Sequence, residues 1–305
     1  MSARPQLLYI LAPSYSGSTL LTYLLAQHAA IATIGELKAT RMGDIDAYRC
    51  SCGELIRECD FWSRLTQRAT DEGLGFSLDE FGTVYGNGTG FVNKVVRALV
   101  RGPVFEAARS TLLKLLPDSM TRVRAVTGQN LTLSRIVCDL QGGTIFLDGS
   151  KDSARLLHYL QSGEWDIKVI YLQRDGRGVT NSYVKHDGVD YDGAIEYWRK
   201  AVTELQCMRG KLDDARVYDL LYEDLCREPE QKLAEICRWL NIDELDHGAT
   251  FSAETQHVLG NSMRLNNVTE IRFDEAWRKK LTPQNLRDFE ERAGALNRSL
   301  GYEAA

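Results

Sequence analysis

The chain has 305 residues, 44% of them hydrophobic and 26% charged, with a formal net charge of −5. That composition is one of a soluble globular protein, and the acidic balance argues against a dedicated nucleic-acid binder, which carries a basic excess or stripe. No apolar run reaches the roughly 20 residues of a membrane-spanning helix, and the apolar segment near the N-terminus is too short for a signal peptide.

The first element in chain order is an apolar run, Leu7-Leu8-Tyr9-Ile10-Leu11, that reads as a strand. Ala12-Pro13-Ser14-Tyr15-Ser16-Gly17-Ser18-Thr19 follows, and Leu20, Leu21, Tyr23, Leu24 and Leu25 then continue with helical spacing. Strand, hydroxyl-rich turn and helix start make a phosphate cradle: the first amides of the helix lack partners, and its dipole favours an anion. The hydroxyls of Ser14, Ser16, Ser18 and Thr19 add donors. Ser18 stands where a Walker A loop has its lysine, so the loop lacks the contact that grips a triphosphate with its magnesium. On this segment alone an ordinary strand-to-helix turn reads equally well.

A short second strand is predicted near Ile31–Ile34, with Glu36 at its carboxyl end. Cys50-Ser51-Cys52-Gly53 and Cys59 form a local cluster within a total of seven cysteines. Reduced thiols in a surface loop are the plain reading, and a Cys52–Cys59 or Cys50–Cys59 disulfide is the alternative. Structural zinc takes four ligands, and no histidine stands nearby in sequence, so no metal is expected. From about 60 to 140 the spacing is helical, broken at Gly86–Gly90 and Gly102-Pro103. This predicts a helical insertion that serves as a lid or as a wall of an acceptor site. Strands return at Thr144–Leu147, Lys168–Gln173 and Arg216–Leu220, with helices at about 152–161, 178–186, 192–209, 229–240 and 282–298. Repeated β-then-α patterning argues for one parallel sheet covered by helices, here as a single domain over 1–305 with the insertion at about 60–140.

Arg174-Asp175-Gly176-Arg177 follows the strand ending at Gln173, and Ser182 stands eight residues after Arg174. An arginine at the carboxyl end of a parallel strand lies where such sheets bind ligands, and its fork matches a phosphate. Here the chain resembles the sulfotransferases that use 3′-phosphoadenosine 5′-phosphosulfate (PAPS). Ser16-Gly17-Ser18-Thr19 matches the loop that holds the 5′-phosphosulfate in that family, and Arg174…Ser182 the element that holds the 3′-phosphate. Leu221-Tyr222-Glu223-Asp224-Leu225 with Pro229 is similar to a further family segment. Phe146-Leu147-Asp148-Gly149-Ser150-Lys151 is similar to the strand-lysine element of the glycan and tyrosyl-protein branches, and the Cys50–Trp62 stretch to one common in bacterial members.

The resemblance implies a P-loop-like α/β fold, PAPS as donor, a hydroxyl-bearing acceptor and no metal. It implies cofactor contacts from Ser14, Tyr15, Ser16, Gly17, Ser18, Thr19, Arg174, Ser182 and Tyr222, and from Arg264 in a basic C-terminal loop. Tyr15 departs from the pattern, which has Arg or Lys at that place, so the loop brings no cation of its own. Glu36 is expected as the base that takes the acceptor's proton, with His186 as its rival, and Lys151 as the cation at the leaving oxygen. Arg177 is free in this reading to pair with Asp175 or Glu223 as scaffolding. A Golgi-type member carries a membrane anchor ahead of its catalytic domain, so a cytoplasmic setting is expected, with homodimerisation left open. The rivals are a small-molecule kinase, disfavoured by the missing Walker lysine, and a nucleotide-binding protein with weakened catalysis, motivated by Tyr15.

Overall fold

A computed structural model describes residues 4–39, 42–245, 256–260, 265 and 271–303. Among them are five strands: β1 (Gln6–Leu11), β2 (Ile31–Thr33), β3 (Ile145–Asp148), β4 (Asp166–Gln173) and β5 (Val217–Leu221). They form one sheet in the order β2-β3-β1-β4-β5, and every pairing is parallel. β1 is central. Its Leu7, Tyr9 and Leu11 enter one hydrophobic core, and Leu8 and Ile10 enter another on the opposite face. A strand covered on both faces must be apolar throughout, which is why residues 7–11 read as an unbroken run.

The connections after β1 and β4 leave in opposite directions. From β1 the chain crosses through helix α1 (Ser18–Leu25) to β2 at one edge. From β4 it crosses through α7 (Gly176–Asp187) and α8 (Tyr191–Arg209) to β5 at the other edge. The carboxyl ends of β1 and β4 therefore bound the crevice at the switch point, where open parallel sheets bind ligands.

Between β2 and β3 lie α2 (Asp60–Asp71), α3 (Phe91–Val96), α4 (Pro103–Leu115) and α5 (Pro117–Gln141), the helices that the spacing predicted over about 60–140. A buried polar network ties them to the sheet. Arg155, in α6 (Ser153–Ser162), donates to Asp148 at the end of β3 (2.9 Å), to the Thr83 carbonyl (2.8 Å) and to Asn130 of α5 (2.5 Å). Both charges of the Asp148–Arg155 pair are fully shielded, so each depends on the other for its hydrogen bonds. The remaining helices are α9 (Tyr222–Arg227), α10 (Pro229–Leu240), α11 (Trp277–Lys280), α12 (Pro283–Phe289) and α13 (Ala295–Ser299). One helix was predicted over 282–298. The structure interrupts it with a π turn at Glu290–Gly294, where the missing Cβ of Gly294 leaves room for the Glu290 carboxyl. No helix among the described residues is long and apolar enough to cross a membrane.

Candidate active site

The turn after β1 is bent by two left-handed residues, Tyr15 (φ 63°) and Gly17 (φ 85°). Gly17 caps α1 without a side-chain bond to the helix amides, so those amides remain directed at the crevice. Glycine is required at 17 on a second count: a Cβ there would stand 2.4 Å from Cδ2 of Tyr222. The Ser16 hydroxyl is fully buried and has no hydrogen-bond partner among the described residues. Buried hydroxyls are normally bonded. An orphaned donor inside a glycine turn at a helix start fits a phosphate oxygen.

The tip of β4 locks onto this turn. Arg174 donates from Nη1 to the Tyr15 carbonyl (2.8 Å), and its guanidinium lies over the Tyr222 ring, 4.5 Å from the centroid. Gly17, Tyr222 and Arg174 thus form one stack across the β1–β4 crevice. Nη2 of Arg174 donates to both the carbonyl (2.9 Å) and the carboxylate (3.0 Å) of Asp274. Burial works against the Asp274 charge, but the Ala276 amide and Arg174 hold its carboxyl below the ordinary value. Tyr222 links its hydroxyl to the same strap, accepting from the Asp274 amide (3.3 Å). Ser182 is buried in α7 and donates to the Gly178 carbonyl (3.0 Å). Arg177 pairs with Asp175 (2.6 Å) under Trp277, and Glu223 accepts from the Asp175 amide (3.1 Å), as the scaffolding reading expects.

Tyr15 does not aim its phenol at the turn. It donates to Asp187 (2.6 Å), and its ring stacks on the exposed His186 with centroids 5.4 Å apart. It contributes to the crevice a ring wall and the carbonyl that Arg174 holds. No cation takes the place of the family's Arg or Lys within the turn itself.

Glu36 and Lys151 meet at the carboxyl ends of β2 and β3. Lys151 donates to Glu36 Oε1 (2.5 Å) and to the Gly149 carbonyl (3.2 Å). Two backbone features hold the pair. Gly35 (φ 80°) lets the chain pass under the Leu259 carbonyl, which would be 2.3 Å from a Cβ. Lys151 itself sits at φ 61°, a left-handed conformation that costs a non-glycine residue on the order of 1 kcal/mol or more and that clusters at functional sites. Asp148 supports both loops, accepting from the Leu37 amide (3.3 Å) and the Ser150 amide (3.0 Å).

A cavity of about 980 Å³ opens on this edge, near the upper end of the roughly 300–1,000 Å³ usual for small-molecule sites. Ser14, Tyr15, Ser18, Glu36 and Lys151 line it, as do Tyr85, Asn87 and Arg97 of the insertion. A second cavity of about 10 Å³ runs from Ser18 and Thr19 to Glu36 and Lys151. The structure therefore brings the turn, Glu36 and Lys151 into one cleft. Arg174, Ser182 and Tyr222 stand outside the lining of the large cavity; Arg174 bonds the Tyr15 carbonyl and the Tyr222 ring packs on Gly17, whereas Ser182 bonds the Gly178 carbonyl of its own helix. Arg264 lies outside the described residues. Sequence reasoning missed Lys38, which lines the cavity and pairs with Asp152 (2.5 Å), as well as Asp148, Arg155 and Asp274. Each acts through a partner a hundred or more residues away or through the insertion, or, for Arg155 and Asp148, through a spacing of seven across a strand-to-helix turn.

The cysteines are unpaired, as the plain reading expects, but the cluster is not a surface loop. Cys50 and Cys59 are fully buried, and all of the cysteines are free. The Cys52 and Cys59 sulfurs are 3.7 Å apart, well beyond a disulfide bond of about 2.05 Å. Sequence neighbours offer no histidine, but the fold brings His257 against the thiols, with Nδ1 3.5 Å from Cys50 Sγ and 3.4 Å from Cys59 Sγ. Burial pushes the Cys50 thiol up to about 12 and the His257 imidazole below its ordinary value.

Comparison with known proteins supports a sulfotransferase fold. Residues 150–247 match the sequence model of the sulfotransferase family. That interval holds Lys151, Arg174, Ser182 and Tyr222; the Ser14–Thr19 turn and Glu36 lie outside it. The fold is that of the sulfotransferases. The chain superposes on the sulfotransferase domain of the olefin synthase of Synechococcus PCC 7002 with a TM-score of 0.53 and 20% identity, covering 100% of this chain and 98% of that one. A sulfotransferase domain from the curacin biosynthetic pathway gives a TM-score of 0.49 and 18% identity, over 100% of both chains. No curated protein matches the chain in sequence.

Proposed function

We propose that this protein is a PAPS-dependent sulfotransferase that acts on the hydroxyl of an acceptor held in the 980 Å³ cavity. The observation that carries the reading is the 2.5 Å Glu36–Lys151 pair standing in one cleft with the Ser14–Thr19 turn. When bound, PAPS supplies an activated sulfuryl group and a nucleotide bisphosphate as leaving group. The α1 amides and the Ser16 hydroxyl would hold its 5′ end. Arg174, with Ser182 and Tyr222 behind it, would hold the 3′-phosphate. The Arg174 edge that now donates to the Asp274 carboxylate would be the one that holds that anion.

Glu36 takes the proton of the acceptor hydroxyl. Protonation removes the negative charge that holds Lys151, and the ammonium is then able to turn toward the negative charge building beside the turn. The insertion residues Tyr85, Asn87 and Arg97 shape the acceptor end of the cavity, whose size suits a sugar, a phenol or a tyrosyl side chain. The phenol of Tyr15, committed to Asp187, supports a second reading in which nucleotide binds and transfer is weak.

Incubation with ³⁵S-labelled PAPS and a panel of sugars, phenols and tyrosyl peptides, without added magnesium, tests the proposal. A labelled product that disappears in Glu36→Gln is expected. Nucleotide binding with no product across the panel favours the second reading, and absence of nucleotide binding refutes both.

A further inference from the structure

Four soft ligands converge away from the active-site cleft. Cys50, Cys52, Cys59 and His257 each place one ligand atom so that all four lie within 4.8 Å of one another. A tetrahedral zinc ion with Zn–S of about 2.3 Å and Zn–N of about 2.05 Å requires S···S edges of about 3.8 Å and S···N edges of about 3.6 Å. The Cys52–Cys59 edge is 3.7 Å, and the His257 edges to Cys50 and Cys59 are 3.5 and 3.4 Å. We propose that these residues form a structural zinc site of the Cys₃His type, closed to substrate and separate from the sulfuryl-transfer chemistry.

The surroundings are built for it. Cys50 and Cys52 lie on a tight turn, where the Gly53 amide donates to the Cys50 carbonyl (2.9 Å), and Cys59 caps α2. The Trp62 indole donates to the Cys50 sulfur (3.3 Å), the kind of outer bond that orients a thiolate ligand. Phe61 stacks on the His257 ring, with centroids 4.6 Å apart and planes within 3°. Ser51 clasps the chain on both sides of His257, donating to the Gln256 carbonyl (2.5 Å) and accepting from the Val258 amide (2.8 Å). With three thiolates and a neutral imidazole the site has net charge −1, and metal entry releases the three thiol protons to solvent.

The placement also gives the ion a task. Residues 256–260 run from His257 to the wall of Glu36: the Leu259 amide donates to the Ile34 carbonyl (2.7 Å), and the Leu259 carbonyl covers Gly35. Zinc staples this segment, which is remote in sequence, to the 50–59 turn, and so buttresses the backbone that carries Glu36. A cluster split by 198 residues between Cys59 and His257 has its ligands joined only in the folded chain, so the ion stabilises the native state.

Metal analysis of the full-length protein, purified without chelator, tests the site independently of any activity. About one zinc per chain is expected, and cobalt added to the chelator-stripped protein is expected to give thiolate-to-cobalt charge-transfer absorption with the intense visible bands of a tetrahedral ion. His257→Cys should keep the metal, whereas His257→Ala and Cys52→Ser should lower zinc affinity by more than about tenfold, since even outer-shell changes cost 10- to 100-fold. The cobalt titration reads the unaltered chain and stands even if a variant fails to fold. Wild-type protein with neither zinc nor a cobalt signal, or a native Cys52–Cys59 disulfide found by mass spectrometry, would overturn the proposal, as would full zinc affinity in both loss-of-ligand variants.

Discussion

The two sides of the Ser14–Thr19 turn are built differently. On the β4 side, Gly17, Tyr222, Arg174 and Asp274 are interlocked: Tyr222 and Arg174 are buried, and Arg174, Tyr222 and Asp274 each hold a protein partner. On the β3 side, among the described residues, the Glu36 and Lys151 side chains hold each other and the Gly149 carbonyl, and they line a wide cavity. Under the proposed function the contrast separates two tasks. A site that fixes a common nucleotide gains from rigidity, because little ordering entropy is then lost on binding. A pair that exchanges a proton and a charge must be able to part.

That division makes the two sides separable by mutation. The largest effect falls on the open side: Glu36→Gln should lower kcat by about 10²–10⁴ while leaving nucleotide affinity intact. Measurement of kcat and of donor KM checks both halves. On the locked side the effect is on affinity. Arg174→Ala should weaken adenosine 3′,5′-bisphosphate binding by roughly 10- to 100-fold, the worth of about 1.5–3 kcal/mol of charged hydrogen bonding. Asp274→Ala should tighten it, because the competing carboxylate is gone; calorimetric titration of both variants reads the sign. Gly17→Ala should destabilise the fold by about 1–3 kcal/mol and weaken the nucleotide, since its Cβ must displace Tyr222 and its φ is left-handed.

The smallest expected effect concerns the seam between insertion and sheet. His158 of α6 is buried and bonds the Val96 carbonyl at the end of α3 (2.9 Å). Burial pushes its imidazole below the ordinary 6.5. The folded state therefore binds fewer protons than the unfolded chain, so its stability contribution is complete above pH 6.5 and is lost as pH falls below that value. The melting temperature should drop as pH falls below about 6.5, and His158→Gln should flatten the slope.

What could be read from the sequence followed from chain-local signals. The apolar run of β1, the Gly17 turn and the Arg174 strand tip each announce themselves within ten residues, so the crevice was legible before the fold. The sheet order then did what spacing alone had no means to do: it set β1 beside β4. Features made by long-range closure were not legible. His257 reaches the cysteines from 198 residues away, Asp274 reaches Arg174 across 100, and Lys38 reaches Asp152 across 114. The same closure explains Tyr15. Its position in the turn pointed to a phosphate contact, but α7 offers Asp187 as a nearer acceptor.

The central claim is that Arg174 and the Ser16–Thr19 turn grip one doubly phosphorylated adenosine while Glu36 stands apart from that grip. Calorimetric titration of adenosine 3′,5′-bisphosphate into wild type, Arg174→Ala and Glu36→Gln tests it most directly. Single-site binding that weakens in Arg174→Ala and persists unchanged in Glu36→Gln is predicted. Binding that survives Arg174→Ala intact but fails in Glu36→Gln would contradict it.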